Sequence, residues 1–205
     1  MKKGLLILIL LMLAYACLAG NTGSDGISRI TYGVEWSYSA AFFKGYHNYF
    51  SDPDGFRVEQ RVHEASYYTN GEAYLHAGFN LDENWNLSAY LGYSGVGDFH
   101  TGLPLSLRMT RYFKENPMRD RWFVYCDVGS GISIKNKPQE LITGKLGGGY
   151  RLSMSRYTKL DFIAALRIIH THPDIKYYEL PISQDQISRN VGYVISASFG
   201  IGITF

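Results

Sequence analysis

The last sixteen residues, N-V-G-Y-V-I-S-A-S-F-G-I-G-I-T-F, alternate between two kinds of position. Val191, Tyr193, Ile195, Ala197, Phe199, Ile201, Ile203 and Phe205 share one face of an extended strand. Gly192, Ser196, Ser198, Gly200, Gly202 and Thr204 share the other, with Val194 as the apolar exception. A period of two over this length predicts a strand with oil on one side and small polar groups on the other.

Seven earlier segments repeat the pattern. Residues 30–43 set Tyr32, Val34, Trp36, Tyr38 and Phe42 against Thr31, Gly33, Glu35, Ser37 and Ser39. Residues 71–81 set Ala73, Leu75, Ala77, Phe79 and Leu81 against Glu72, Tyr74, His76 and Asn80. The short polar turn Asp82-Glu83-Asn84 leads into 85–94, so these two segments read as a hairpin. The fourth, fifth and seventh segments, 103–113, 122–132 and 160–168, alternate as clearly, with Arg108, Asp127, Asp161 and Arg167 on their polar faces. The sixth, 141–152, is diluted by Gly144 and the run Gly147 to Gly149, which predicts a bend or a close strand approach. Residues 190–205 are the eighth, and each segment approaches the ~9–11 residues of a tilted membrane strand.

The oily face that carries Phe199, Ile201 and Ile203 and stops on Phe205 resembles the C-terminal strand of Gram-negative outer-membrane β-barrels. In that family the terminal Phe is an assembly signal read by the barrel-assembly machinery. The whole mature chain is similar to the small barrels of the OmpA transmembrane-domain, OmpX and OmpW type. The resemblance implies an all-β fold, an eight-stranded antiparallel up-and-down transmembrane β-barrel embedded in outer-membrane lipids. It also implies that the cell-wall role of full OmpA proteins does not carry over, since no further domain is expected after Phe205. Connections after the second, fourth and sixth segments are short, whereas the long 44–70 and 173–189 stretches follow the first and seventh. Barrels of this kind have short periplasmic turns and longer external loops, so both termini are expected in the periplasm.

The start of the chain agrees with export. Lys2 and Lys3, the apolar run Leu5 to Leu13 and the small residues after it have the form of a signal peptide, and the run is too short to span a membrane. Residues 1–20 are therefore read as the cleaved signal and 21–205 as the barrel domain. Ala14-Tyr15-Ala16 offers an earlier cleavage site that would leave Cys17 first, as in a lipoprotein, but Ala14 stands where that signal expects Leu. Cys126 then has no partner for a structural disulfide.

Composition points the same way, with 22 Gly, 17 Tyr and 11 Phe against only 19% charged residues. A net charge of +2 gives no support for nucleic-acid binding. No cofactor is expected: Gly144-Lys145-Leu146-Gly147-Gly148-Gly149 lacks the Ser or Thr of a phosphate loop, and no helix follows it. Asp52-Pro53-Asp54-Gly55 lacks the remainder of a calcium loop and reads as a turn. Trp85, Trp122 and Tyr157 open their strands as an interfacial girdle.

The polar faces bring Glu35, Glu72, Asp127 and Asp161 together with Arg108, Lys145, Arg151 and Arg167, and with His76. Eight strands enclose only side chains, so these charges are expected to pair and plug the lumen. Outside the barrel, Tyr46, Tyr49, Phe50, Tyr67 and Tyr68 in the 44–70 stretch are candidate contacts for an extracellular ligand whose identity the sequence does not disclose. The functional expectation is a non-enzymatic outer-membrane barrel whose loops serve surface interaction or envelope integrity.

Two other functions compete with it. A lipid A-modifying acyl hydrolase would centre on His170 or His172 with Ser183 or Ser188 as nucleophile, but the deacylases' His-x-Ser is absent because His172 follows His170. A narrow channel for small or apolar solutes would require an open lumen. His170, His172 and Asp174 also fall at alternate positions, yet Pro173 interrupts the strand, and no metal site is assigned to them.

Overall fold

A strand that crosses hydrocarbon must take every backbone hydrogen bond from a neighbouring strand, and only a closed ring does this without leaving an edge. The computed structural model describes residues 29–52, 54–96, 100–113, 119–133, 140–172, 175–177 and 180–205. The expected signal segment 1–20, Cys17, Pro173 and Asp174 lie outside the described residues. The strands are β1 (Ile30–Ser51), β2 (Arg57–Asn80), β3 (Trp85–Val96), β4 (His100–Phe113), β5 (Arg121–Ser133), β6 (Glu140–Ser153), β7 (Lys159–Thr171), β8 (Lys176–Tyr177), β9 (Leu180–Pro181) and β10 (Ile187–Thr204).

Eight of them close into an antiparallel barrel in the order β1-β10-β7-β6-β5-β4-β3-β2, while β8 and β9 pair with each other apart from it. Every neighbour in the ring except the β1–β10 seam is consecutive along the barrel, which is up-and-down topology. The seam runs from Gly33 opposite Thr204 up to Phe50 opposite Ile187. Below it, Tyr32 N donates to Phe205 O at 3.2 Å and Phe205 N donates to Tyr32 O at 2.8 Å.

Alternation sorts the side chains as the sequence predicts. Trp36, Leu75, Leu91, Met109, Val128, Leu146, Leu166 and Ile201 face outward and stay exposed, whereas Glu35, Ser37, Glu72, Ser88, Arg108 and Ser198 face inward and are buried. From Ile195 to Phe205 the outward positions of β10 are apolar without interruption. At ~3.3 Å per residue and a tilt of ~40°, that stretch is ~25 Å tall, the height of a membrane barrel's apolar band.

The glycine run of β6 answers to its neighbours. Gly147 and Gly149 point inward beside the rings of Tyr125 and Phe123, and a Cβ at Gly149 would lie 2.6 Å from Phe123 Cζ and would collide with Phe162 O. β6 gives up side chains so that β5 can place aromatic rings in the lumen.

One expectation is corrected. The 44–70 stretch is not a loop: β1 and β2 continue through it as a paired ladder from Phe43 opposite Ala65 to Ser51 opposite Arg57. A register shift between Ala41 and Phe43 marks where the barrel wall ends and this hairpin begins. Its tip is closed by Asp52, which accepts from Phe56 N on Oδ1 at 2.7 Å and from Gly55 N on its carbonyl at 3.0 Å. Gly55 takes φ +88°, a left-handed conformation that an L side chain rarely adopts. Backbone pairing needs no oily face, so a ladder can rise well beyond the apolar band.

Candidate functional site: the filled lumen and the external hairpin

The lumen is built in layers, each supplied by the inward positions of strands that are far apart in sequence. Nearest the Phe205 end, Arg151 forks onto Asp161, with Nε to Oδ1 at 2.6 Å and Nη2 to Oδ2 at 2.7 Å, and Thr204 Oγ1 donates to the same carboxylate at 3.3 Å. Arg121 lies 3.8 Å from the Tyr112 ring centroid and donates to Glu83 O at 2.7 Å.

In the middle layer Arg108 reaches Glu35 with Nη1 at 2.6 Å and Asp127 with Nε at 3.2 Å. Its guanidinium sits between the rings of Tyr90 and Tyr125, 3.9 and 4.1 Å from their centroids. His76 stacks on the other partner of this layer, Tyr90, at 4.8 Å. A planar cation held by two carboxylates and two ring faces has lost its water but little of its electrostatic stabilisation.

Above it, Glu72 is only 1% exposed and bridges two cations, Lys145 Nζ at 2.6 Å and Arg167. Tyr74 OH donates to Glu72 at 3.1 Å and Arg167 Nη2 donates to Gly95 O at 3.2 Å. Leu141 and Ile169 then form an apolar cluster at the hairpin end. A cavity of about 20 Å³ lies within the lumen, bounded in part by Glu35, His76, Arg108, Tyr112, Arg151 and Asp161. That volume holds about one water molecule.

All nine charged and imidazole side chains named from the sequence thus face the lumen. Arg121 faces the lumen as well, in phase with Phe123, Tyr125 and Asp127; extending the alternation of 122–132 by one step finds it. The rings of Tyr90 and Tyr125, which sandwich the Arg108 cation, leave no mark in the sequence beyond their inward phase.

The outer candidates divide. Tyr67 is 77% exposed, and Tyr46, Tyr49 and Tyr68 are partly exposed. Phe50 is corrected: at 1% exposure it is turned inward on the hairpin and cannot contact a ligand. Tyr68 accepts a hydrogen bond from Lys44 Nζ at 2.8 Å, and Lys44 also pairs with Glu64 at 2.7 Å. These two neighbours, Glu64 first, hold the Lys44 ammonium above the ordinary lysine range. Beyond the barrel wall, residues 57–71 of β2 pair with β1 on one side, while among the described residues no strand pairs with their other edge, because β3 begins its pairing at Glu72 opposite Ser94.

His170 lies on the outer face, between Ile142 of β6 and Tyr193 of β10, and its ring meets that of His172 at 5.5 Å. Ser183 Oγ donates to Gln186 Oε1 at 3.0 Å, and among the described residues no hydrogen bond joins a serine to either histidine. No group of three His, Cys, Asp or Glu side chains suited to a metal occurs among the described residues.

No family model matches the sequence, and no curated protein matches it. Solved structures similar in fold include two bacterial surface and outer-membrane proteins. Neisserial surface protein A aligns with a TM-score of 0.54 at 10% identity, covering 86% of this chain and 96% of that one. The outer membrane protein OprG from Pseudomonas aeruginosa aligns with a TM-score of 0.50 at 10% identity, covering 86% and 95%. What this chain shares with them is the fold, an eight-stranded antiparallel barrel closed on itself.

Proposed function

We propose that this chain is a non-enzymatic outer-membrane protein, with both termini in the periplasm, that uses the raised β1–β2 hairpin as a surface for extracellular contact. The observation that carries this reading is the edge of β2 between residues 57 and 71, a row of backbone donors and acceptors unpaired by any described strand. Edges of this kind pair readily with an extended segment of another protein. Tyr67 at 77% and Phe56 at 71% exposure offer rings beside it.

A lumen occupied by ion pairs supports a scaffold in preference to a channel, and the outward setting of His170 supports a rim residue in preference to a catalytic base. Outer-membrane lipids and the assembly machinery, through Phe199, Ile201, Ile203 and Phe205, are the partners that accompany this reading. Envelope integrity is the role that would remain if the hairpin had no ligand.

The test replaces residues 46–66 by a short turn and compares whole cells carrying either protein. Retention of the variant in the outer-membrane fraction with loss of adhesion to surfaces coated with extracellular protein is the expected result. Equal adhesion by both strains would refute the hairpin's role, and recovery of the parent protein in soluble extract would refute the location. Protease cleavage of the hairpin tip in intact cells checks the orientation.

A further inference from the structure

The registers of four adjacent strands define the level at which the outer surface changes character. Ile168 of β7, Ile195 of β10, Phe43 of β1 and Ala65 of β2 lie side by side and form an entirely apolar row. The next outward row reads His170, Tyr193, Gly45, His63 across the same strands. The row above it holds Val191, His47 and Arg61, with His172 just past the end of the β7 pairing, and the third holds Arg189, Tyr49 and Glu59. Four of the chain's six histidines and two arginines therefore gather in three rows immediately above the oil.

The patch is partly organised by its own hydrogen bonds. His63 Nδ1 lies 3.1 Å from Tyr193 OH, and Arg61 Nε donates to His47 Nε2 at 3.2 Å and to Glu59 Oε1 at 2.8 Å. The Arg61 side chain nevertheless remains 63% exposed, and His63, His172 and Arg189 are exposed as well. Acidic groups near the patch are Glu59, which Arg61 engages, and Glu140, two residues before Ile142, the β6 partner of His170. Gly45 leaves the row open between His63 and His170, with the Tyr193 ring filling the gap: a Cβ at Gly45 would fall 2.6 Å from Tyr193 Cζ.

We infer that this outer rim, spanning β7, β10, β1 and β2, is a binding site for the phosphate groups of lipid headgroups in the leaflet surrounding the barrel. The inference rests on the membrane reading above and adds a ligand to it. Three arguments commit the site to a lipid. The apolar band below it is the height of a hydrocarbon layer, so the first polar row sits where headgroups begin. Guanidinium and imidazole N–H groups donate hydrogen bonds, and phosphate oxygens accept them, most strongly from arginine's planar fork. The groups face sideways, away from the lumen and along the barrel wall, so a ligand there shares the plane of the acyl chains packed on Ile168, Ile195 and Phe43.

The experiment titrates the full chain, folded in maltoside micelles that contain no phosphate, with diphosphorylated lipid A, and counts bound lipid by native mass spectrometry. The variant carries Arg61→Gln, His63→Gln, His170→Gln and Arg189→Gln together; its ring closure is verified by the heat-modifiable gel shift of a folded barrel. A control variant, Arg111→Gln, alters the opposite rim, where Arg111 lies 5.4 Å from the Trp85 ring. Expected are a weakening of at least about tenfold in the rim variant, unchanged binding in the control, and dephosphorylated lipid bound no better by the parent than intact lipid is by the variant. Equal affinity of parent and rim variant, or of phosphorylated and dephosphorylated lipid, would overturn the site. Inorganic phosphate that competes at the same concentration as the lipid would overturn its assignment to a lipid. Should the rim variant fail to close, the single change Arg189→Glu is tested by the same titration, with a loss of several-fold expected and no change counting against the site. Because the titration is done in micelles, its failure is separable from failure of the membrane reading, which cell fractionation tests.

Discussion

β1 and β2 each pass through two environments, and the same kind of interaction has different worth in each. Within the barrel wall, Glu72 of β2 is sealed between Lys145 and Arg167, with side chains no more than 3% exposed. In the hairpin above, Lys44 of β1 pairs with Glu64 of β2 at a similar distance, but the two are 27% and 47% exposed. Both are cross-strand or cross-lumen ion pairs on an antiparallel ladder. The difference is water: one pair has exchanged its hydration for protein partners and the other keeps most of it. A buried pair costs much to break and an exposed pair costs little.

The sharpest way to break the contrast is Glu72→Gln. It strands two cations in the lumen and is expected to lower stability by ~3–5 kcal/mol, read from urea unfolding in detergent micelles. A loss below about 1 kcal/mol, the range of exposed pairs, would mean that water enters the lumen freely. Next comes the outer wall. Ile201→Arg, near the middle of the apolar stretch of β10, is expected to cost ~2–4 kcal/mol in lipid, measured by refolding into vesicles. Tyr67→Arg on the exposed hairpin should leave the same measurement unchanged. If both behave alike, the apolar band does not face hydrocarbon.

Smaller effects sharpen the picture inside each region. Gly149→Ala would press a methyl group against Phe162 O and the Phe123 ring and is expected to cost ~1–3 kcal/mol through overpacking, whereas Gly71→Ala, with no atom within 4 Å of its Cβ, should cost nothing measurable by that mechanism. Glu64→Gln should cost ~0–1 kcal/mol. Because the Lys44 pKa is raised in the folded chain, the pair's contribution is complete below the ordinary lysine value of ~10.4 and disappears as pH rises through the higher folded value. Titration from neutral to strongly alkaline pH should therefore remove the difference between parent and Glu64→Gln. Glu59 carries the opposite sign: Arg61, and after it His47, hold its carboxyl below the usual range, so its contribution is present above the ordinary glutamate value and lost as pH falls through the lowered one.

The same contrast explains what could be read from the sequence. Within the apolar band, one side of each strand is oily and the other polar or charged, so Trp36 against Glu35 or Leu166 against Arg167 discloses orientation at sight. The whole ring, the lumen charges and the strand count follow from that demand. Above Phe43 both faces of the hairpin meet water or each other, and Lys44, Tyr46, Asn48, His47 and Tyr49 show no oily phase. The ladder there is held by backbone pairing, which leaves no mark on composition, and the register shift at Ala41/Phe43 changes the phase where a reader would try to continue it. Phe50 was misplaced for that reason. The grouping of the rim histidines is not legible in the sequence because they come from strands distant along the chain, and only the register sets His63 and His170 in one row.

The hydrogen bonds between Tyr32 and Phe205 bring together residues from opposite ends of the described chain. Each hairpin of the ring can zip locally, but this last seam must wait for all of them, since the entropy of joining distant ends is recovered only once the intervening strands are in place. Until that moment the protein is a sheet with two unsatisfied margins, β1 and β10, each able to capture the wrong neighbour. Whatever shelters those margins during biogenesis decides between a sealed monomer and a strand-swapped aggregate.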